Sequence, residues 1–303
     1  MRMMALEATL ADVVQTLRDR DIDVLLLKGL GTARWLYDRV EERPFNDIDV
    51  MVPPQDFQSA LTALCTAGFR PKFDESWHHV CLRREVPIPA DVELHRSLYL
   101  LRSDIDSVWG LLSADAGAID VAGIKVPVPS AAAAALIVVL HAVQHGVEIV
   151  QPMRDLQRAL QRLDLETWEG AALIARGLQV EAEFAMGLRL QPKGRDIAKQ
   201  LELETTPAGR LARLRAATPP DTTMGIERLV TAQGTWTRTL MVLSELAAPP
   251  EFMRIWHPLA RRGPVGLAAA YLYRPFWLAV KLPVGVRAWR RAAKEPPAAA
   301  EPR

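Results

Sequence analysis

The chain has 303 residues, 50% of them hydrophobic, enough to bury a sizeable core over about two domains. Thirty-seven lysines and arginines against 36 aspartates and glutamates leave a net charge of +1, which offers no global electrostatic handle for a long nucleic acid. Only Cys65 and Cys81 are present, so a disulfide framework and a paired-thiolate structural zinc site are both excluded, and a reducing cytoplasm fits best.

Glu7 and Asp12 interrupt the apolar core that a signal peptide needs, and the spacing predicts an amphipathic helix to about residue 20. Strands are predicted over 24–28 and 47–52, and helices over 32–40 and 54–67. Strands over 77–83 and 89–95 follow, on either side of a proline-containing break at 86–89. "AIDVAGIKVPV" reads as a hairpin that turns at Ala122 and Gly123 and closes this part near Pro129. Ser130 then serves as the N-cap of "AAAAALIVVLHAVQHG". Further helices are expected in "MRDLQRALQRL", "LETWEGAALIARGLQVEAEFAMGLRL" and "IERLVTAQGTWTRTLMVLSELA", with breaks at "QPKG" and "TPPDTT". The chain therefore reads as α+β: a small mixed sheet with helices over 1–129, a mainly helical domain over 130–290, and a disordered Pro- and Ala-rich tail over 291–303.

The most apolar late stretch, "PVGLAAAYLYRPFWLAVKLPVGVRAW", contains Arg274, Pro275, Lys281 and Pro283, and no membrane span is predicted there. Trp256, Trp277 and Trp289 alternate with Arg261, Arg262, Arg274 and Arg290 in this region. Packing of helices against the second domain is the favoured reading of that pattern, and contact with a membrane surface is the other.

The chemistry concentrates in "LLLKGLGTARWLYDRVEERPFNDIDVMV", residues 25–52. On a strand, Asp47 and Asp49 project to one face while Ile48 and Val50 project to the other. An isolated D-x-D is most often a solvated stripe. "ADVELHRSL" supplies a further set, because Asp91, Glu93 and His95 share one face of a later strand. Asp47, Asp49 and Glu93 together suit a hard divalent cation such as Mg²⁺, with two ions serving an in-line displacement at phosphorus. Lys28-Gly29 makes a glycine-containing turn into a helix, where backbone N–H groups and an ammonium meet phosphate. Arg43 either contacts a triphosphate or braces carboxylates, the alternative being a surface arginine balancing Glu41 and Glu42. His95 is either a partner that orients Glu93 or a substrate contact.

His141 and His145 lie four apart on one helix face, but no third ligand follows at a zinc spacing. Trp77, His78 and His79 receive no role.

"LLLKG" at 25–29, "RPFNDIDVMV" at 43–52 and "VELH" at 92–95 together resemble the bacterial uncharacterised nucleotidyltransferase family, within the polymerase-β-like nucleotidyltransferase superfamily. The resemblance is strong over the first half and looser at "LHAVQHG" and "MRDL". It implies a polymerase-β-like palm in which Asp47, Asp49 and Glu93 are catalytic and hold two Mg²⁺ ions, and Lys28 and Gly29, with Arg43 beside them, bind an NTP. It also implies that His141, His145 and Asp155 face the acceptor, where His95 is a further candidate from its place on the strand. The expected reaction moves a nucleoside monophosphate from the NTP to an acceptor that is a small molecule, peptide, protein or RNA end, releasing pyrophosphate. A phosphotransferase using the same carboxylates, or a non-catalytic nucleotide sensor, remains open beside it. Lys28-Gly29 replaces the Gly-Ser pair commoner in the superfamily.

Overall fold

The first helix, α1 (Arg2–Arg18), follows from its apolar stripe: Leu6, Leu10, Val13, Val14 and Leu17 are all buried. They pack on one face of a five-stranded sheet in a computed structural model that describes residues 2–72, 78–85, 89–101, 103–203, 208–216, 226, 235, 239 and 248–294. Trp77, the break at 86–88, the helix expected over most of 226–247, "TPPDTT" and the residues after 294 lie outside the described residues.

The sheet contains β1 (Leu25–Leu26), β2 (Asp47–Met51), β3 (Arg70–Pro71), β4 (His79–Arg84) and β5 (Ala90–His95), in the order β1-β2-β5-β4-β3. β2 and β5 run parallel, and the other neighbours are antiparallel, so the sheet is mixed as expected. Alternation decides the faces. Ile48, Val50, Val92, Leu94, Val80 and Leu82 turn into the core against α1 and α3 (Phe57–Thr66). The intervening residues of β2 and β5 are almost all charged, and they form the sheet's other face.

Several boundaries differ from the expectation. The strand over 24–28 shrinks to Leu25–Leu26, because Gly29 takes φ +67° and turns the chain at once into α2 (Leu30–Leu36). α2 stops short of residue 40, and a 3₁₀ turn, Val40–Glu42, carries the chain on towards Arg43. A second 3₁₀ turn, Pro54–Asp56, precedes α3.

α4 (Ile105–Ser113) leads to the hairpin of β6 (Gly117–Val121) and β7 (Ile124–Val128). It turns where predicted, with Ala122 at φ 49° and Gly123 at φ 82°, but it forms its own two-stranded sheet instead of an edge of the larger one.

Ser130 caps α5 (Ala131–His145) by accepting a 3.3 Å hydrogen bond from the Ala133 N–H. α6 (Val150–Arg162), α7 (Leu165–Gly177), α8 (Glu181–Leu188) and α9 (Pro192–Gln200) follow, with Pro192 opening the last of these where "QPKG" was read as a break. α5 is the hub: Leu136, Val139, Leu140 and Val143 are all buried. α10 (Arg210–Ala216) comes next.

The chain divides into one compact unit over Met1–Ala212 and a second over Arg213–Ala298. In the second, α11 (Pro250–Trp256) and α12 (Gly263–Lys294) build a small core of Ala248, Met253, Ala260 and Ala270. α12 passes through Pro275 and Pro283 and continues three residues past Arg291. Among the described residues, no helix is long and apolar enough to cross a membrane.

Close helix packing yields a test. A Cβ at Gly187 would lie 2.4 Å from Val139 Cγ1 and 2.8 Å from Val143 Cγ2, both stiff side chains in a packed core. Helix propensity alone favours Gly187→Ala by about 1 kcal/mol, whereas overpacking costs about 1–3 kcal/mol. The substitution is therefore expected to lower stability, measured by chemical denaturation followed by circular dichroism.

Candidate active site

Parallel pairing of β2 and β5 sets Asp47 opposite Asp91, Asp49 opposite Glu93 and Met51 opposite His95. On the far side of β5, β4 brings Arg83 opposite Asp91, Cys81 opposite Glu93 and His79 opposite His95. Directly paired residues share a face, so three strands deliver one continuous polar surface.

Asp49 lies at its centre. The residue is 1% exposed, a position where an ionised carboxylate needs compensating charge. Lys28 Nζ stands 2.6 Å from Asp49 Oδ1, and His95 Nε2 lies 3.2 Å from the same oxygen. His95 Nε2 is also 3.4 Å from Glu93 Oε2. Burial alone would raise the Asp49 pKa, but the Lys28 charge and the His95 hydrogen bond hold it well below the usual carboxylate range. Burial would likewise depress Lys28, yet Asp49, Asp47 and Glu93 keep the ammonium above its ordinary pKa. His95 is raised in the same way, its burial outweighed by hydrogen bonds to Asp49 and Glu93.

Asp47, half-buried, behaves oppositely: burial, then the Asp49 charge, push its carboxyl up to about 6 despite Lys28. The two members of the D-x-D are thus unequal, one held ionised by its partners and the other short of positive charge.

Two compact groups of ligand-type atoms meet here. Asp49, Glu93 and His95 lie within 4.8 Å of one another, as do His79, Cys81 and Glu93. Asp49 Oδ2 is buried without a hydrogen-bond partner, and so is Nδ1 of His95. An orphaned carboxylate oxygen beside Glu93 and Asp47 matches the hard oxygen donors that Mg²⁺ takes, so the residues fit that ion.

Arg43 and Asp155, assigned from the sequence to the nucleotide and acceptor sides, are each other's partner. Arg43 is 4% exposed, and its guanidinium grips the carboxylate through Nε at 2.9 and 3.0 Å and Nη2 at 2.7 Å. This excludes the surface arginine balancing Glu41 and Glu42. Asp155 also accepts from Tyr37 Oη at 2.7 Å and Gln151 Nε2 at 2.9 Å. Arg43 Nη1 donates to the Gly29 carbonyl at 3.2 Å, which ties α6 to the turn that carries Lys28. Arg158 adds a 2.7 Å bond to Glu42 and lies 4.5 Å over the Tyr37 ring.

His141 and His145 stack edge to face at 4.5 Å. His141 is held well below its ordinary pKa by burial and by the Lys28 charge; His145 is exposed. Sequence reasoning assigned no site role to His79 or Cys81, although their alternation on β4 placed them on one face. His79 lies stacked on His95 at 5.2 Å, and Cys81 Sγ is 3.7 Å from Glu93 Oε1. Burial, with Glu93 beside it, pushes the thiol up to about 12.

A family model described as "Uncharacterised nucleotidyltransferase" matches residues 1–193. The chain belongs to this family. Its α+β fold is accordingly a nucleotidyltransferase domain followed by helices, and the protein is a nucleotidyltransferase by family. No curated protein matches this nucleotidyltransferase. Solved structures similar to it include the antibiotic-resistance factor ANT(2'')-Ia in solution, at 16% identity and TM-score 0.42, covering 60% of this chain and 97% of that one. A complex of ANT(2")-Ia with adenylyl-2"-tobramycin matches at 15% identity and TM-score 0.38, over 57% of this chain and 97% of that one. An antigenic nucleotidyltransferase-like protein from Paracoccidioides brasiliensis matches at 15% identity and TM-score 0.39, over 66% and 93%.

The buried Arg43–Asp155 pair is testable. Asp155→Ala strands the guanidinium in the interior and is expected to cost about 3–5 kcal/mol in denaturant unfolding. The double variant Arg43→Met with Asp155→Leu, which removes both charges, is expected to recover more than half of that loss.

Proposed function

We propose that this nucleotidyltransferase is Mg²⁺-dependent and moves a nucleoside monophosphate from an NTP to an acceptor hydroxyl or phosphate, with release of pyrophosphate. The observation that carries the reading is the register of β2 and β5, which sets Asp49 opposite Glu93, two residues on from Asp47, with Asp49 Oδ2 left orphaned. Asp47, Asp49 and Glu93 would hold two metal ions. Mg²⁺ bound there would neutralise charge on the triphosphate and on the departing pyrophosphate.

Each side chain then has a stated task. Lys28 keeps Asp49 ionised and presents an ammonium to the phosphates at the Gly29 turn. His95 fixes the carboxylates of Asp49 and Glu93 from below through one nitrogen. Glu93, 27% exposed at its side chain, is the acid that reaches towards an acceptor and takes its proton. The acceptor oxygen bonds to the α-phosphorus as the bond from that phosphorus to the bridging oxygen breaks, and pyrophosphate carries the electron pair away. His141 is kept as the acceptor-side candidate of the helical part, whereas Asp155 supports the site through Arg43.

Pyrophosphate release from a panel of the four NTPs with candidate acceptors measures this directly. Asp47→Asn and Asp49→Asn are each expected to lower the rate by about two to three orders of magnitude, and chelation of divalent metal to abolish it. Undiminished pyrophosphate release in both variants would sink the mechanism. A nucleoside diphosphate as the product, with the γ-phosphoryl group on the acceptor, would favour the phosphotransferase.

A further inference from the structure

We propose that the outward face of α12 is a docking surface for an anionic lipid bilayer. The helix has two apolar sides, and one is already used. On the inner side, Ala270 is buried and Arg274, 3% exposed, is held between rings, its guanidinium carbon 4.9 Å from the centroids of both Phe252 and Trp256. Trp256 meets Trp277 edge to face at 5.5 Å, which closes that side.

Among the described residues, the outer side has no such cover. Val265 is 83% exposed, Leu272 73%, Phe276 72% and Val280 71%. Spacings of seven, four and four residues place them along one stripe, and Val284 extends it by another four. A run of large aliphatic and aromatic side chains at such exposure marks an interaction surface and not ordinary surface scatter.

Charge selects the partner. From Phe252 to Lys294 there are nine lysines and arginines and no aspartate or glutamate, in a chain whose net charge is only +1. Arg261 and Arg262 stand exposed before the helix, and Arg287, Arg290 and Arg291 stand exposed near its end, so the apolar stripe is flanked by cations at both ends. A second copy of the chain would bring those cations against themselves. A nucleic acid would satisfy them but leave Leu272, Phe276 and Val280 without an apolar medium. A bilayer with acidic headgroups satisfies both, with the stripe among the upper acyl chains and the arginines at the phosphates. The helix lies on the surface, since no described helix is apolar enough to cross.

Vesicle flotation of the full chain tests this. The protein is expected to float with vesicles containing phosphatidylglycerol, to remain unbound with pure phosphatidylcholine, and to be released by high salt. Leu272→Asp with Phe276→Asp, exposed positions at which circular dichroism should be unchanged, is expected to lower partitioning at least about tenfold, and Arg287→Glu with Arg290→Glu and Arg291→Glu to do the same. Absence of flotation with the anionic vesicles overturns the proposal without any variant. So does unaltered binding by both variants, or a dimer in light scattering that the Leu272→Asp, Phe276→Asp pair dissolves.

Discussion

Burial of Asp49 is the constraint from which the rest of the site follows. A carboxylate at 1% exposure is tolerable only if charge and hydrogen bonds are brought to it, and the sheet is built to bring them. The antiparallel pairing of Leu25 with Met51 and Leu26 with Val50 continues in a 2.9 Å bond from the Leu27 N–H to the Asp49 carbonyl, so the next residue, Lys28, arrives beside the acid. The parallel pairing of Met51 with His95 brings the imidazole from the other side. Backbone ladders on both flanks of β2 thus determine which side chains compensate the buried charge. Only one oxygen of Asp49 is satisfied by them; the other is buried without a hydrogen-bond partner.

Arg43 and Asp155 form a second buried charge pair with a different task. All three nitrogens of the guanidinium are engaged, two with Asp155 and one with the Gly29 carbonyl. The pair is spent on architecture: it holds the turn that aims Lys28, and it does so from a helix more than a hundred residues later in the chain. Tyr37, Gln151 and Arg158 reinforce the same junction.

How much of this was legible in the sequence depended on range. Period-two alternation exposed the shared face of Asp47 and Asp49, and the motif order exposed the family. The Ala122-Gly123 turn and the Ser130 cap were readable because turn and cap chemistry is local. Cross-strand register was not readable, and it is register that places His79 and Cys81 beside Glu93. The Arg43–Asp155 pair was hidden for the same reason: Arg43 also had a local explanation beside Glu41 and Glu42, and only tertiary packing joins it to Asp155. Pro275 and Pro283, which interrupt the apolar run of the late stretch, do not interrupt its helix.

The Arg43–Asp155 junction also bears on how such a chain can be assembled from parts. The acidic strand and its sheet lie before residue 130, and α6 lies after it, yet the counter-ion of a buried arginine in the first part is supplied by the second. The helical region is therefore not an interchangeable appendage. Any replacement must carry an acidic side chain to the same spot, so recombination at that boundary is filtered by a single buried charge before substrate preference enters.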